Sequence, residues 1–170
     1  MGGKERIEKL LKAAGSEKRT TAATTGITKE FLIVSVGEAL LGLHIEYLRE
    51  VFDLPDRGDV IPLPFVPPYL VGVINVRGEI VPVLALSDIL GLGETPAGSL
   101  KMVIIDQKFK AAFPVREIID LKAIDVKELR SVKDPTRKTE DHMLTQEFSY
   151  EGKTVGVIDV LKLYASRFLA

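Results

Sequence analysis

From Phe31 onward the apolar residues come in runs of about five to seven, each ended by glycine, proline or a charged turn. A strand needs only that length, whereas a packed helix needs a longer stretch of 3.6-residue period. Residues 31–36, 41–45, 71–76, 80–84, 102–106, 111–116, 118–124, 143–150 and 154–158 therefore read as strands. Residues 46–52 fit either a strand or one helical turn leading into a strand. Pro62, Pro64, Pro67 and Pro68 keep residues 61–68 out of any central strand, because proline gives the ladder no amide proton. Pro68 can open a single helical turn that ends before Gly72. Ser87 suits the N-cap of a short helix over 88–92, stopped by Gly91 or Gly93. The charged stretch 130–141, with Pro135, reads as an exposed loop, and a hairpin turns at Glu151-Gly152. Residues 160–169 close the chain as a helix with Leu161, Tyr164, Phe168 and Leu169 on one side. This many short strands at even spacing point to barrels or a sandwich.

Two blocks echo each other. Gly78-Glu79-Ile80-Val81-Pro82-Val83-Leu84 resembles Gly152-Lys153-Thr154-Val155-Gly156-Val157-Ile158, and a short helix follows each. Arg49-Glu50-Val51-Phe52-Asp53-Leu54 likewise resembles Arg116-Glu117-Ile118-Ile119-Asp120-Leu121. The echoes suggest two related β-subdomains of about 60–70 residues, over 31–95 and 100–165. Shared strand-turn-helix grammar would look the same, and exchange of strands between the halves stays open. Residues 1–30 read as an appendage. Ile7, Leu10, Leu11 and Ala14 form one stripe on a short helix ended by Gly15, and residues 20–26 form a linker with nothing large to bury. That appendage is either a disordered tail or a helix that docks on a partner.

Composition excludes several chemistries. With 46% hydrophobic and 28% charged residues in 170, a core forms without a metal or disulfide. Cysteine is absent, which removes disulfides, zinc–thiolate sites and thiol catalysis. The net charge is −1. A local basic excess occurs only in residues 1–30, with seven Lys/Arg against four Glu. Aromatics are 6%, tryptophan is absent and charge is balanced, so a β-barrel nucleic-acid-binding module stays only as the less favoured alternative. No apolar run approaches the roughly 20 residues of a membrane span, and no signal-peptide core is present, so a cytoplasmic protein is expected. His44 and His142 have no second ligand at metal spacing. Residues 91–98 are glycine-rich but lack the Lys-Ser/Thr of a phosphate loop, and no G-x-S-x-G frame occurs. No catalytic constellation or cofactor site is readable.

The most informative stretch spans residues 61–84. Two apolar strands flank Asn75-Val76-Arg77-Gly78, whose residue types suit a tight turn. Arg77 would project from the end of a stiff hairpin, either as an interface anchor or as a solvated turn arginine. The proline-bounded segment, then Gly72-Val73-Ile74-Asn75-Val76-Arg77-Gly78 and Ile80-Val81-Pro82-Val83, resembles the CheW family of chemotaxis adaptors. The resemblance extends from residue 31 to about residue 165. It implies a mainly β fold of two SH3-like five-stranded β-barrels packed together, with short connecting helices and a C-terminal helix. It also implies a non-enzymatic, cofactor-free adaptor that couples methyl-accepting chemoreceptors to a CheA-type histidine kinase in membrane-associated arrays, without inserting into the membrane. Carried over by position, Leu48, Glu50 and Val51 correspond to a partner surface on the first barrel. Gly72 corresponds to a glycine that allows close approach, and Asn75 and Arg77 to the coupling motif. Val115 and Ile118 are candidates on the second barrel. One departure stands out: Arg116 replaces the acid of a Val-Asp-x-Val pattern, and Pro114 suggests an edge or bulged strand. A specialised pathway, such as surface or pilus motility, is therefore an alternative to ordinary chemotaxis.

Overall fold

The structure is a computed structural model that describes residues 26–54, 59–93, 100–132 and 143–168. The expected N-terminal helix and most of its linker, His142 and most of the charged loop lie outside these residues. The strands are β1 (Thr28–Val36), β2 (Ala39–His44), β3 (Leu48–Asp53), β4 (Leu70–Val76), β5 (Glu79–Leu84), β6 (Lys101–Asp106), β7 (Lys110–Val115), β8 (Glu117–Asp125), β9 (Arg130–Ser131), β10 (Leu144–Tyr150) and β11 (Lys153–Ile158). Helix α1 spans Leu86–Leu90 and α2 spans Val160–Phe168. The ambiguous stretch before β3 resolves into a 3-10 turn, Ile45–Tyr47, that leads into the strand. Helix α1 begins two residues earlier than the sequence suggests. Its cap is Ala85 with no side-chain bond, and Ser87 is a buried residue inside it. Gly91, in the left-handed conformation, ends it.

The strands form two sheets, in the orders β8-β1-β2-β11-β10-β9 and β3-β6-β7-β5-β4. The orders match step for step when β3, β6, β7, β5 and β4 are laid on β8, β1, β2, β11 and β10. Orientation matches too: the β7–β5 and β2–β11 pairs are parallel and the others antiparallel. In chain order the repeated unit is two strands as a hairpin, an edge strand, a second hairpin and a helix. The first hairpin of each unit completes the other unit's sheet. The sheets therefore do not divide at residues 95–100, and the two halves are interlocked.

Burial shows why both sheets curl. Phe52 of β3, Ile74 and Val76 of β4, and Met102 and Ile104 of β6 pack into one cluster. That cluster joins both edge strands of a single sheet, so the sheet must bend back on itself. Phe31, Ile33, Ile124, Phe148 and Val155 make the equivalent core of the other sheet. A third and larger core lies between the sheets, where Leu32, Val34, Leu43, Val103, Phe113 and Leu163 are fully or almost fully buried. Helix α2 adds Val160 and Leu163 to this core. It also stacks Tyr164 on Phe109, with ring centroids 4.7 Å apart.

The stretch around Pro114 differs from expectation. Strand β7 is the central strand of its sheet, paired along its length with β6 and bridged to β5 at Ala112, so it is not an edge. Its proline lies beyond the one rung made with β5, where no further rung exists to be broken. Arg116 is the single residue between β7 and β8, at the crossing from one sheet to the other, and its amide donates to the Ser35 carbonyl (2.9 Å).

Candidate functional site

The β4–β5 turn is two residues long, with Arg77 at φ 53° and Gly78 at φ 86°. Positive φ at both positions gives the turn whose twist matches the flanking strands. Asn75 fixes it from one side, its Oδ1 accepting the Gly78 amide proton at 2.8 Å. Arg77 thereby leaves the hairpin on a rigid mount. Its Nη2 lies 3.1 Å from Oε2 of Glu50, on the opposite edge strand of the same sheet. Two of the sequence-derived candidates, 27 residues apart, thus meet at the seam where the curled sheet closes. The Arg77 side chain remains 67% exposed, whereas that of Glu50 is 14% exposed. The cation is what this seam presents to solvent.

Beside it lies an ionic cluster that sequence reasoning missed. Arg49 Nη1 reaches Glu79 at 2.8 Å and Asp106 at 3.3 Å. Lys110 Nζ reaches the same two carboxylates at 2.8 and 3.7 Å. The hydrogen bond from Lys110, then that from Arg49, holds the Glu79 carboxyl below the usual carboxylate range. Exposed pairs of this kind are screened by solvent and add little to stability. No sequence signal marked it, because its members come from four elements and face one another only after the sheet closes.

The other candidates fall in different places. Leu48 and Ile118 are half-buried and pack against the core between the sheets. Val51 and Val115 lie inside that core, at 7% and 0% exposure, so neither offers a side chain to a partner. Gly72 does permit close approach, but to the chain itself: a Cβ there would sit 2.2 Å from the Ile61 carbonyl oxygen. Ile61 and Val73 exchange both backbone hydrogen bonds at 2.8 and 2.9 Å, which clamps residues 59–63 along β4. Asn75 is exposed beside Arg77.

The second sheet repeats the seam with other chemistry. Tyr150, next to the Glu151-Gly152 turn, donates to Asp120 Oδ2 on the edge strand β8 at 2.8 Å. That bond, with some burial, raises the phenol to about 12. His44 is half-buried against Phe31, with ring centroids 4.5 Å apart, and burial followed by the Lys29 charge lowers its pKa. Among the described residues no group of three or more His, Asp or Glu could hold a metal ion, and no helix is long and apolar enough to cross a membrane.

A CheW-like domain family model matches residues 30–168. The chain belongs to the CheW-like domain family. Protein FrzA of Myxococcus xanthus is 38% identical over 80 residues, which is 47% of this chain and 48% of FrzA, so the match spans about half the length of that relative. Chemotaxis protein CheW of Rhizobium meliloti is 23% identical over 143 residues, covering 81% of this chain and 88% of the relative. The crystal structure of the scaffolding protein TtCheW from Thermoanaerobacter tengcongensis superposes with a TM-score of 0.68 at 24% identity, over 78% of this chain and 90% of that one. The expected mainly β fold with a C-terminal helix therefore holds, in sheets of six and five strands where two five-stranded barrels were expected.

Proposed function

We propose that the chain is a non-enzymatic, cofactor-free adaptor that couples methyl-accepting chemoreceptors to a CheA-type histidine kinase. It would act in the cytoplasm, recruited to membrane-associated arrays. The observation that carries this reading is the Arg77–Glu50 seam: a stiff hairpin holds a largely exposed cation over the facing edge strand. Arg77, Glu50 and Asn75 form the partner-binding patch, Leu48 supports it from β3 by packing on the core between the sheets, and Gly72 shapes it from beneath by admitting the Ile61 backbone. Val51, Val115 and Ile118 act through the core between the sheets, which fixes the angle between the two binding halves. Each contact can be modest, because a multivalent array raises effective concentration.

A second reading is an adaptor of a related chemosensory pathway, such as one for surface or pilus motility. Arg116, standing where the family pattern has an acid, and the 38% identity to FrzA over 80 residues support it. Co-sedimentation with a CheA-type kinase and a chemoreceptor fragment from the same genome tests the main reading. A ternary complex that forms only when the adaptor is present is expected. A receptor and kinase that sediment together to the same extent without it would argue against coupling.

A further inference from the structure

A groove of about 660 Å³ runs over the junction of the two halves, where β2 of the first unit pairs in parallel with β11 of the second. Leu40, Leu92, Val132 and Leu144 line it and are only partly buried, and Gly156 adds bare backbone. Four aliphatic side chains left partly open around one groove suit an apolar occupant. Glu38, Glu147 and Lys153 supply the groove's charges, and none of them has an ion-pair partner among the described residues. Arg130 stands opposite Glu147 in register without pairing to it.

The chain itself carries one segment of matching chemistry. Residues 1–25, 55–58, 94–99, 133–142 and 169–170 lie outside the described residues. Residues 94–99 and 133–142 adjoin the groove near Leu92 and Val132, but neither stretch contains a Leu, Ile, Val, Met, Phe or Tyr, and residues 55–58 contain none either. Residues 1–25 alone among these stretches carry an apolar stripe, Ile7, Leu10, Leu11 and Ala14. On a helix that stripe is about 10 Å long, the length of chain from Glu38 to Leu41. At helical spacing Lys4 and Arg6 flank the stripe, one on each side. Residues 1–25 hold six Lys/Arg against three Glu, a charge of +3, which leaves −4 on the remainder of the chain. The reach also suffices. Leu41 pairs with Val34, eight residues along the strand from Gly26 and so about 26 Å away. The eleven steps from Gly15 to Gly26 span about 36 Å when extended, and residues 20–26 have no large side chain to hinder that path.

We propose that residues 4–15 dock as a helix in this groove of their own chain. Ile7, Leu10, Leu11 and Ala14 pack on Leu40, Leu92, Val132 and Leu144, while Lys4 and Arg6 turn toward Glu38 and Glu147. The chain thereby covers the junction of its two halves with its own arm. This docking is independent of the coupling role of Arg77.

A spin-label measurement on the full chain tests it. The chain has no cysteine, so Lys12→Cys, on the far side of the stripe, gives a single attachment point for a nitroxide. In the isotope-labelled protein the nitroxide should strip intensity from the amide signals of Leu40, Leu144, Thr154 and Gly156, relative to the same sample with the label reduced. The loss should persist on dilution. Leu10→Asp together with Leu11→Asp should restore the signals, and Glu147→Lys should restore them in part. Groove signals that keep their full intensity would overturn the docking, as would a loss that survives in the Leu10, Leu11 double variant. A loss that fades on dilution would place the arm of a second copy in the groove and overturn docking within one chain.

Discussion

Adding one methyl group at Gly72 should release the segment that shapes the binding face. An ideal Cβ at that position lies 2.2 Å from the Ile61 oxygen, 2.8 Å from its carbonyl carbon and 3.0 Å from the Pro62 Cα. All three are backbone atoms, so no side chain can swing aside to make room. The Ile61 segment must move off β4, and it then loses the 2.8 and 2.9 Å hydrogen bonds exchanged with Val73. Two backbone hydrogen bonds at a net value of about 1 kcal/mol each set the loss near 2 kcal/mol. For a domain of this size that corresponds to a melting temperature lower by about 4–8 °C. Thermal unfolding of Gly72→Ala followed by circular dichroism measures the shift, and hydrogen exchange locates it. The amides of Ile61 and Val73 should lose protection while those of β6 and β7 keep theirs. A variant that melts within about 1 °C of the parent, with those two amides still protected, would refute the clamp.

Val51→Asp should unfold the protein or come close to it. The substitution forfeits roughly 1.5–3 kcal/mol of side-chain burial, and desolvating an unpaired carboxylate costs several kcal/mol more. A urea midpoint near the parent's would show that Val51 is not in the core between the sheets. Tyr150 should ionise near pH 12 in a spectrophotometric pH titration, and Tyr150→Phe should remove that phase. Because its folded pKa is raised from the ordinary 10.0, its contribution to stability is complete below about pH 10 and is lost as pH climbs toward about 12. A titration that Tyr150→Phe leaves unchanged near pH 12 would mean that the Asp120 bond does not hold in solution.

The strand pattern was legible because glycine and proline bound each run, and the turn at Arg77-Gly78 because its residue types suit a tight hairpin. Burial of Val51 was not. On β3, Val51 faces the core between the sheets while its neighbour Phe52 faces the sheet's own core, so both faces are covered. Alternation cannot say which side is solvent when neither is. The seam was half legible. Glu50 and Arg77 could be named, but their contact depends on sheet closure, and the Arg49–Glu79–Lys110–Asp106 cluster joins residues up to 57 apart. The repeats showed in the echoes around Glu50 and Glu79. The exchange of hairpins did not show, because a strand's pattern records that a face is buried and not which sheet covers it. Ser87 misled because capping residue types also occur inside helices, where a buried hydroxyl serves packing.

Arg77→Asn offers the most direct measurement. Asparagine is well suited to the positive φ of this turn, so the variant should fold as stably as the parent while losing the largely exposed cation at the hairpin tip. Titrated against the cognate kinase and receptor fragment, it should bind at least one of them about tenfold more weakly at an unchanged melting temperature. Equal affinity for both partners would contradict the assignment of the hairpin tip as a coupling surface.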